Sequence, residues 1–172
     1  MSTKKNNLPK PKPKPVTNSD AMPSIGGDAS SEYLKMFYPK PEKDMKWSYL
    51  MLVNIQGIKV NAELTMEVIE IENKKVKIRT IMGEQSFDSE TSVDAFSPLP
   101  TPSSGANKSG FIFEGNEDIS VPSGDFRGCV KLSTFSEGVK TYIWLYKGTG
   151  PVKFSITLNG LPADLLLSEF KN

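Results

Sequence analysis

The sequence predicts an all-β domain with one short helix, and three observations carry that reading. Apolar residues recur at every second position in Ile58, Val60, Ala62, Leu64, Met66 and Val68, with Lys59, Asn61, Glu63, Thr65 and Glu67 between them, the period of a half-buried strand. Turn-forming residues punctuate the chain, most clearly Asn159-Gly160 between two apolar runs, a pair that tolerates positive φ and marks a tight hairpin. About nine such runs follow one another at intervals of roughly ten residues, which suits an antiparallel sandwich or a partly closed barrel better than a parallel α/β sheet.

Residues 1–31 carry the alternation Lys-Pro-Lys-Pro-Lys-Pro from Lys10 to Pro15 and then Ser, Asn, Asp and Gly. Proline removes a donor and biases its predecessor toward extended geometry, so this stretch reads as a disordered, polyproline-like arm. It serves as a solubilising spacer or as a basic tether to an acidic surface, lipid or protein. Residues 32–172 then form a single domain, about the commonest domain size.

Tyr33, Leu34, Phe37 and Tyr38 fall near helical spacing, with Ser30 or Ser31 as N-cap and Pro39 and Pro41 as the stop, so a short lead-in helix lies over one end of the sheet. Trp47–Val53 is the first long strand and turns through residues 54–57 into the alternating run from Ile58. The phase slips at Val68-Ile69, as at a β-bulge. Asn73-Lys74 turns the chain into Val76, Ile78 and Thr80, which completes a three-stranded meander. Residues 84–96 supply a further polar strand with Phe87 inward. Residues 97–110, rich in Pro, Gly and Ser, read as a long mobile loop. Beyond it come strands at residues 110–113, 118–121, 128–135, 140–146, 152–158 and 164–170.

Composition narrows the function classes. Five lysines against Asp20 give residues 1–20 a charge of +4, and since the whole chain carries +1 the remainder carries −3. Such a body lacks the broad positive field of a nucleic-acid binder, and Arg79 and Arg127 are its two arginines. No run of 18 apolar residues spans a bilayer, and the first 20 residues hold no apolar signal-peptide core.

The residues also argue against an enzyme. Histidine is absent, which removes the usual general base and the commonest transition-metal ligand. Cys129 lies in an apolar alternating run and reads as a buried strand cysteine. Glu63, Glu67, Glu114 and Glu117 are the carboxylates from which an acid/base pair would be drawn, but Glu63 and Glu67 alternate against an apolar face and point into water. Asn116-Glu117-Asp118 lacks the spacing of a Ca²⁺ loop and reads as a solvated turn, and Gly148-Thr149-Gly150 lacks the Lys-Ser and helix of a phosphate loop. No metal site and no cofactor is expected.

Tyr142, Trp144 and Tyr146 share one parity and Thr141, Ile143 and Leu145 the other, so both faces of this strand are largely apolar. Either the strand is covered on both sides, or one face lines an apolar ligand cavity in a half-open barrel. On the second reading Tyr142, Trp144 and Tyr146 are the candidate ligand-binding residues.

Three segments together carry a family resemblance. Phe37-Tyr38-Pro39 leads into Lys46-Trp47-Ser48-Tyr49; Val121-Pro122-Ser123-Gly124-Asp125-Phe126-Arg127-Gly128-Cys129 forms a turn and strand; and Tyr146-Lys147-Gly148-Thr149-Gly150-Pro151-Val152-Lys153 forms a second turn. In order and spacing these resemble uncharacterised bacterial cell-envelope proteins, often lipoproteins, with a LolA-like half-barrel. The resemblance spans residues 37–170. It implies a strongly curved antiparallel sheet, a periplasmic or envelope location and a non-enzymatic role handling lipid or an envelope partner. The expected function is a non-catalytic binding module that holds a lipid-like or hydrophobic ligand on a concave sheet face. The alternative is a structural subunit of a larger assembly, tethered to its protein partner by the N-terminal arm.

Overall fold

A computed structural model describes residues 22–96, 110–136 and 138–172. The Lys-Pro run and residues 97–109 of the expected loop lie outside the described residues. Ten strands are described: β1 (Asp28–Ala29), β2 (Lys46–Ile55), β3 (Ile58–Glu72), β4 (Lys75–Met82), β5 (Gln85–Ser92), β6 (Phe111–Val121), β7 (Gly124–Ser136), β8 (Val139–Tyr146), β9 (Gly150–Leu158) and β10 (Leu161–Lys171). They form one antiparallel sheet in the order β1-β6-β7-β8-β9-β10-β2-β3-β4-β5. β1 and β5 are its two ends, so the barrel is not closed.

Two meanders, β2–β5 and β6–β10, are joined side by side through β10 and β2. Tight turns set each hairpin: Gln56 and Gly57 both take positive φ, and the Gly57 N–H donates to Asn54 Oδ1 at 2.9 Å. The slip expected at Val68-Ile69 is a register shift between Val68 and Glu70. The expected separate strands at 110–113 and 118–121 are one strand, β6, with shifts at Phe113/Gly115 and Glu117/Ile119. Asn116-Glu117-Asp118 therefore lies within a strand and is no turn. Polar side chains there misled the periodicity, because in β6 they are bonded to β7 and β8 instead of punctuating the chain.

The N-terminal boundary also differs. Within the stretch expected to be arm, Gly26 and Gly27 bond Phe113 and β1 pairs with Ile112 and Phe111. Small residues let this backbone lie against the β6 edge with no apolar pattern to announce it. Helix α1 (Ser31–Lys35) is one turn shorter than its apolar spacing suggests, capped by Ser30 Oγ accepting from the Tyr33 N–H at 3.1 Å. It buries Tyr33, and the Gly148 N–H donates to the Phe37 carbonyl.

The sheet curls around one face. Phe113 of β6 and Val76 of β4, seven positions apart in the strand order, are buried in a single cluster. At one end the curl is tight. The Trp47 indole of β2 donates to the Thr149 carbonyl and the Tyr49 hydroxyl to the Pro151 carbonyl, both at 2.8 Å, passing over β10. The Ser123 N–H, in the β6–β7 turn, donates to the Leu167 carbonyl of β10 at 3.0 Å. This closed end carries α1 and the β3–β4, β6–β7 and β8–β9 turns. The β2–β3, β4–β5 and β9–β10 turns lie at the opposite, open end.

Candidate ligand-binding face

Strand alternation sorts the side chains by chemistry as well as by face. On the inner face of β2, Trp47, Tyr49, Met51, Val53 and Ile55 stand opposite Met66, Leu64, Ala62, Val60 and Ile58 of β3. Across the other edge of β2, Leu167, Leu165 and Ala163 of β10 oppose Tyr49, Met51 and Val53, and Leu161 of β10 opposes Leu158 of β9. The inner positions of β4 and β5 add Val76, Ile78, Thr80 and Met82, then Gln85, Phe87, Ser89 and Thr91. In β2–β5 and β8–β10 the inner positions hold no Asp, Glu, Lys or Arg.

Toward the closed end this face is filled: Trp47, Tyr49 and Leu167 are at most 1% exposed. Toward the open end it is bare. Ile58 is 68% exposed and Val60 42%, with Ile55 and Leu158 close behind, while Phe87 (57%) and Met82 (42%) are exposed along the free β4–β5 side of the sheet. For Ile58 and Val60 the cause is strand length. β3 runs fifteen residues and β4 eight, and β4 ends at Met82 opposite Leu64, so Ile58–Glu63 project beyond it. The result is an apolar ledge with charges turned to the outer face, where Arg79 pairs with Asp88, Lys75 with Glu90 and Lys46 with Glu169.

Tyr142, Trp144 and Tyr146 stand on the opposite face from this ledge. Ile143 of β8 pairs with Leu132 and Phe154 in the core, whereas Trp144 pairs with Lys131 and Lys153. Those two ammonium groups lie 5.1 and 4.8 Å from the Trp144 ring, and Lys131 and Lys140 lie 5.2 and 4.9 Å from that of Tyr142. The Trp144 indole donates to Glu117 at 2.8 Å, and Tyr146 packs edge-on against Phe126. Lysine stems thus bring Tyr142 and Trp144 together under a charged cover. Parity on β8 shows that both faces are occupied; which face keeps an unfilled stretch depends on strand overhang at β3. The overhang residues Ile58 and Val60 are in the alternating run, and the inequality of the β3 and β4 runs is the signal that points to them.

Glu114 and Glu117 are held ionised. Hydrogen bonds from Ser133 and Lys140 lower the Glu114 pKa, and bonds from Lys131 and the Trp144 indole lower that of Glu117. A general acid requires the opposite shift. Glu63 and Glu67 lie on β3, separated from β6 by five strands. Cys129 is fully buried, and burial pushes its thiol up to about 11. Among the described residues no group of three Cys, Asp or Glu side chains is placed to hold a metal ion. Gly148-Thr149-Gly150 is a β8–β9 turn whose Thr149 carbonyl receives the Trp47 indole.

No protein-family model matches the chain, and no curated protein matches it. It is similar to three solved structures. A "putative exported protein with YmcC-like fold" from Bacteroides fragilis is 13% identical, with 80% of this chain and 99% of that one covered and a TM-score of 0.48. A "putative lipoprotein" from Parabacteroides distasonis is 14% identical over 79% and 98%, with a TM-score of 0.49. A "putative outer membrane lipoprotein-sorting protein domain" from Vibrio parahaemolyticus is 13% identical over 82% and 89%, with a TM-score of 0.37. They are bacterial proteins of the kind that the three motif segments resemble.

Proposed function

We propose that the chain is a non-catalytic binding module that holds a flexible apolar ligand, such as an acyl chain, against the open stretch of its inner face. The observation that carries this reading is the run of bare aliphatic side chains Ile55, Ile58, Val60 and Leu158 on a face free of charge. Contiguous apolar surface of this sort costs solubility unless something covers it. With no ionic partner on that face, affinity comes from area removed from water, about 25 cal/mol per Å², and selectivity from shape.

Both tryptophans are buried, so neither reports on the ledge. An Ile58→Trp variant supplies a reporter at an exposed position. With palmitate, or with vesicles of dioleoylphosphatidylglycerol, its emission should shift to the blue and the melting temperature of the native chain should rise. Ile58→Asp combined with Val60→Asp should abolish the rise while leaving the fold intact. Unchanged emission and melting temperature with both probes would overturn the reading.

A further inference from the structure

The two edges of the sheet are treated differently. The β6 edge is covered at Phe111 and Ile112 by β1, and beyond them it is broken by two register shifts. Among the described residues the β5 edge has none of these protections. Its eight residues, Gln-Ser-Phe-Asp-Ser-Glu-Thr-Ser, pair with β4 without a shift, hold no Pro, Gly or Lys, and present a free side to no other strand among the described residues. Monomeric β proteins usually blunt such an edge.

We propose that β5 pairs antiparallel with β5 of a second copy about a two-fold axis through Phe87. The axis must keep inner residues opposite inner residues, because a one-residue slip would turn Phe87 to the charged face. Among registers that obey this, one centred on Asp88 sets two aspartates face to face, and one centred on Ser89 sets Asp88 against Glu90. The register centred on Phe87 opposes no two acids within the strand: it sets ring against ring, Gln85 against Ser89 and Ser86 against Asp88, and brings Glu84 of the β4–β5 turn, outside the strand, opposite Glu90. Directly opposed Ser and Asp is a pairing this chain already uses twice: Ser120 with Asp125 and Ser155 with Asp164, each bonded at 2.5 Å. The dimer would join two charge-free inner faces through the exposed Phe87 rings.

A short strand edge makes a small interface, so the native chain is examined at about 200 μM by sedimentation equilibrium. The expected mass is twice the 19.0 kDa protomer. Phe87→Lys, at a position more than half exposed, should return it to the protomer mass. Register is read by oxidation, since directly opposed strand residues lie at disulfide distance and the native thiol is buried. Phe87→Cys should cross-link to a covalent dimer, and Ser86→Cys should not. A native chain that stays monomeric, a Phe87→Lys variant that dimerises like the native chain, or equal cross-linking of the two cysteine variants would each overturn the proposal. None of these outcomes bears on lipid binding at Ile58 and Val60, which is read separately.

Discussion

The closed and open ends of the inner face are written in the same alternating code and meet opposite fates. Trp47 and Tyr49 begin β2, Val53 and Ile55 end it, and all four point to one side. The first two are sealed because Phe96 and Phe170 pack against Trp47 and Phe154 against Tyr49, while Thr149 of the β8–β9 turn and Pro151 of β9 accept their polar groups. Val53 is half-buried and Ile55 exposed, because β4 stops short and nothing among the described residues crosses the ledge. Alternation therefore selects a face, while burial is decided by the segments that fold over it.

The comparison breaks most readily at Trp47. Trp47→Ala should cost about 3–5 kcal/mol in urea unfolding, since it empties a filled site and orphans the Thr149 carbonyl. Tyr49→Phe keeps the ring but leaves the Pro151 carbonyl buried without its donor, and about 1–3 kcal/mol should be lost by the same measurement. Ile58→Ala, an equally apolar truncation at the open end, should change stability by no more than about 0.5 kcal/mol while weakening palmitate binding. A large destabilisation there would mean that the ledge is structural core.

The outer face offers a smaller, pH-dependent test. Glu114 and Glu117 titrate below the ordinary carboxylate value when folded. Their contribution to stability is thus full above the unfolded pKa of about 4.3 and fades as pH falls through the lower folded value. Glu117→Gln should flatten part of the acid limb of a stability-against-pH curve measured between neutral pH and about pH 3. Smallest in energy is the reactivity of Cys129. With its thiol at about 11, it should stay unlabelled by a thiol reagent at pH 8 until urea unfolds the chain.

Much of the strand inventory was legible because its causes are local. Alternation from Ile58 to Val68, the bulge after it and the Asn159-Gly160 hairpin all follow from side-chain period and turn chemistry within a few residues. β6 was split in two because Glu114, Glu117 and Asp118 look like turn residues, although their partners Ser133, Lys131, Trp144 and Gly128 lie 10 to 27 residues away. β1 was missed because its pairing is carried by backbone groups, which leave no mark in residue type.

By itself the sequence determined which residues alternate, where the chain reverses and that no histidine chemistry is available, since these depend on composition and near neighbours. Only the tertiary structure decided that β10 pairs with β2, that Trp144 lies beneath lysines on the outer face and that the ends of β2 and β3 remain uncovered. Those outcomes depend on the curl of the whole sheet and on the unequal lengths of strands that meet only after folding.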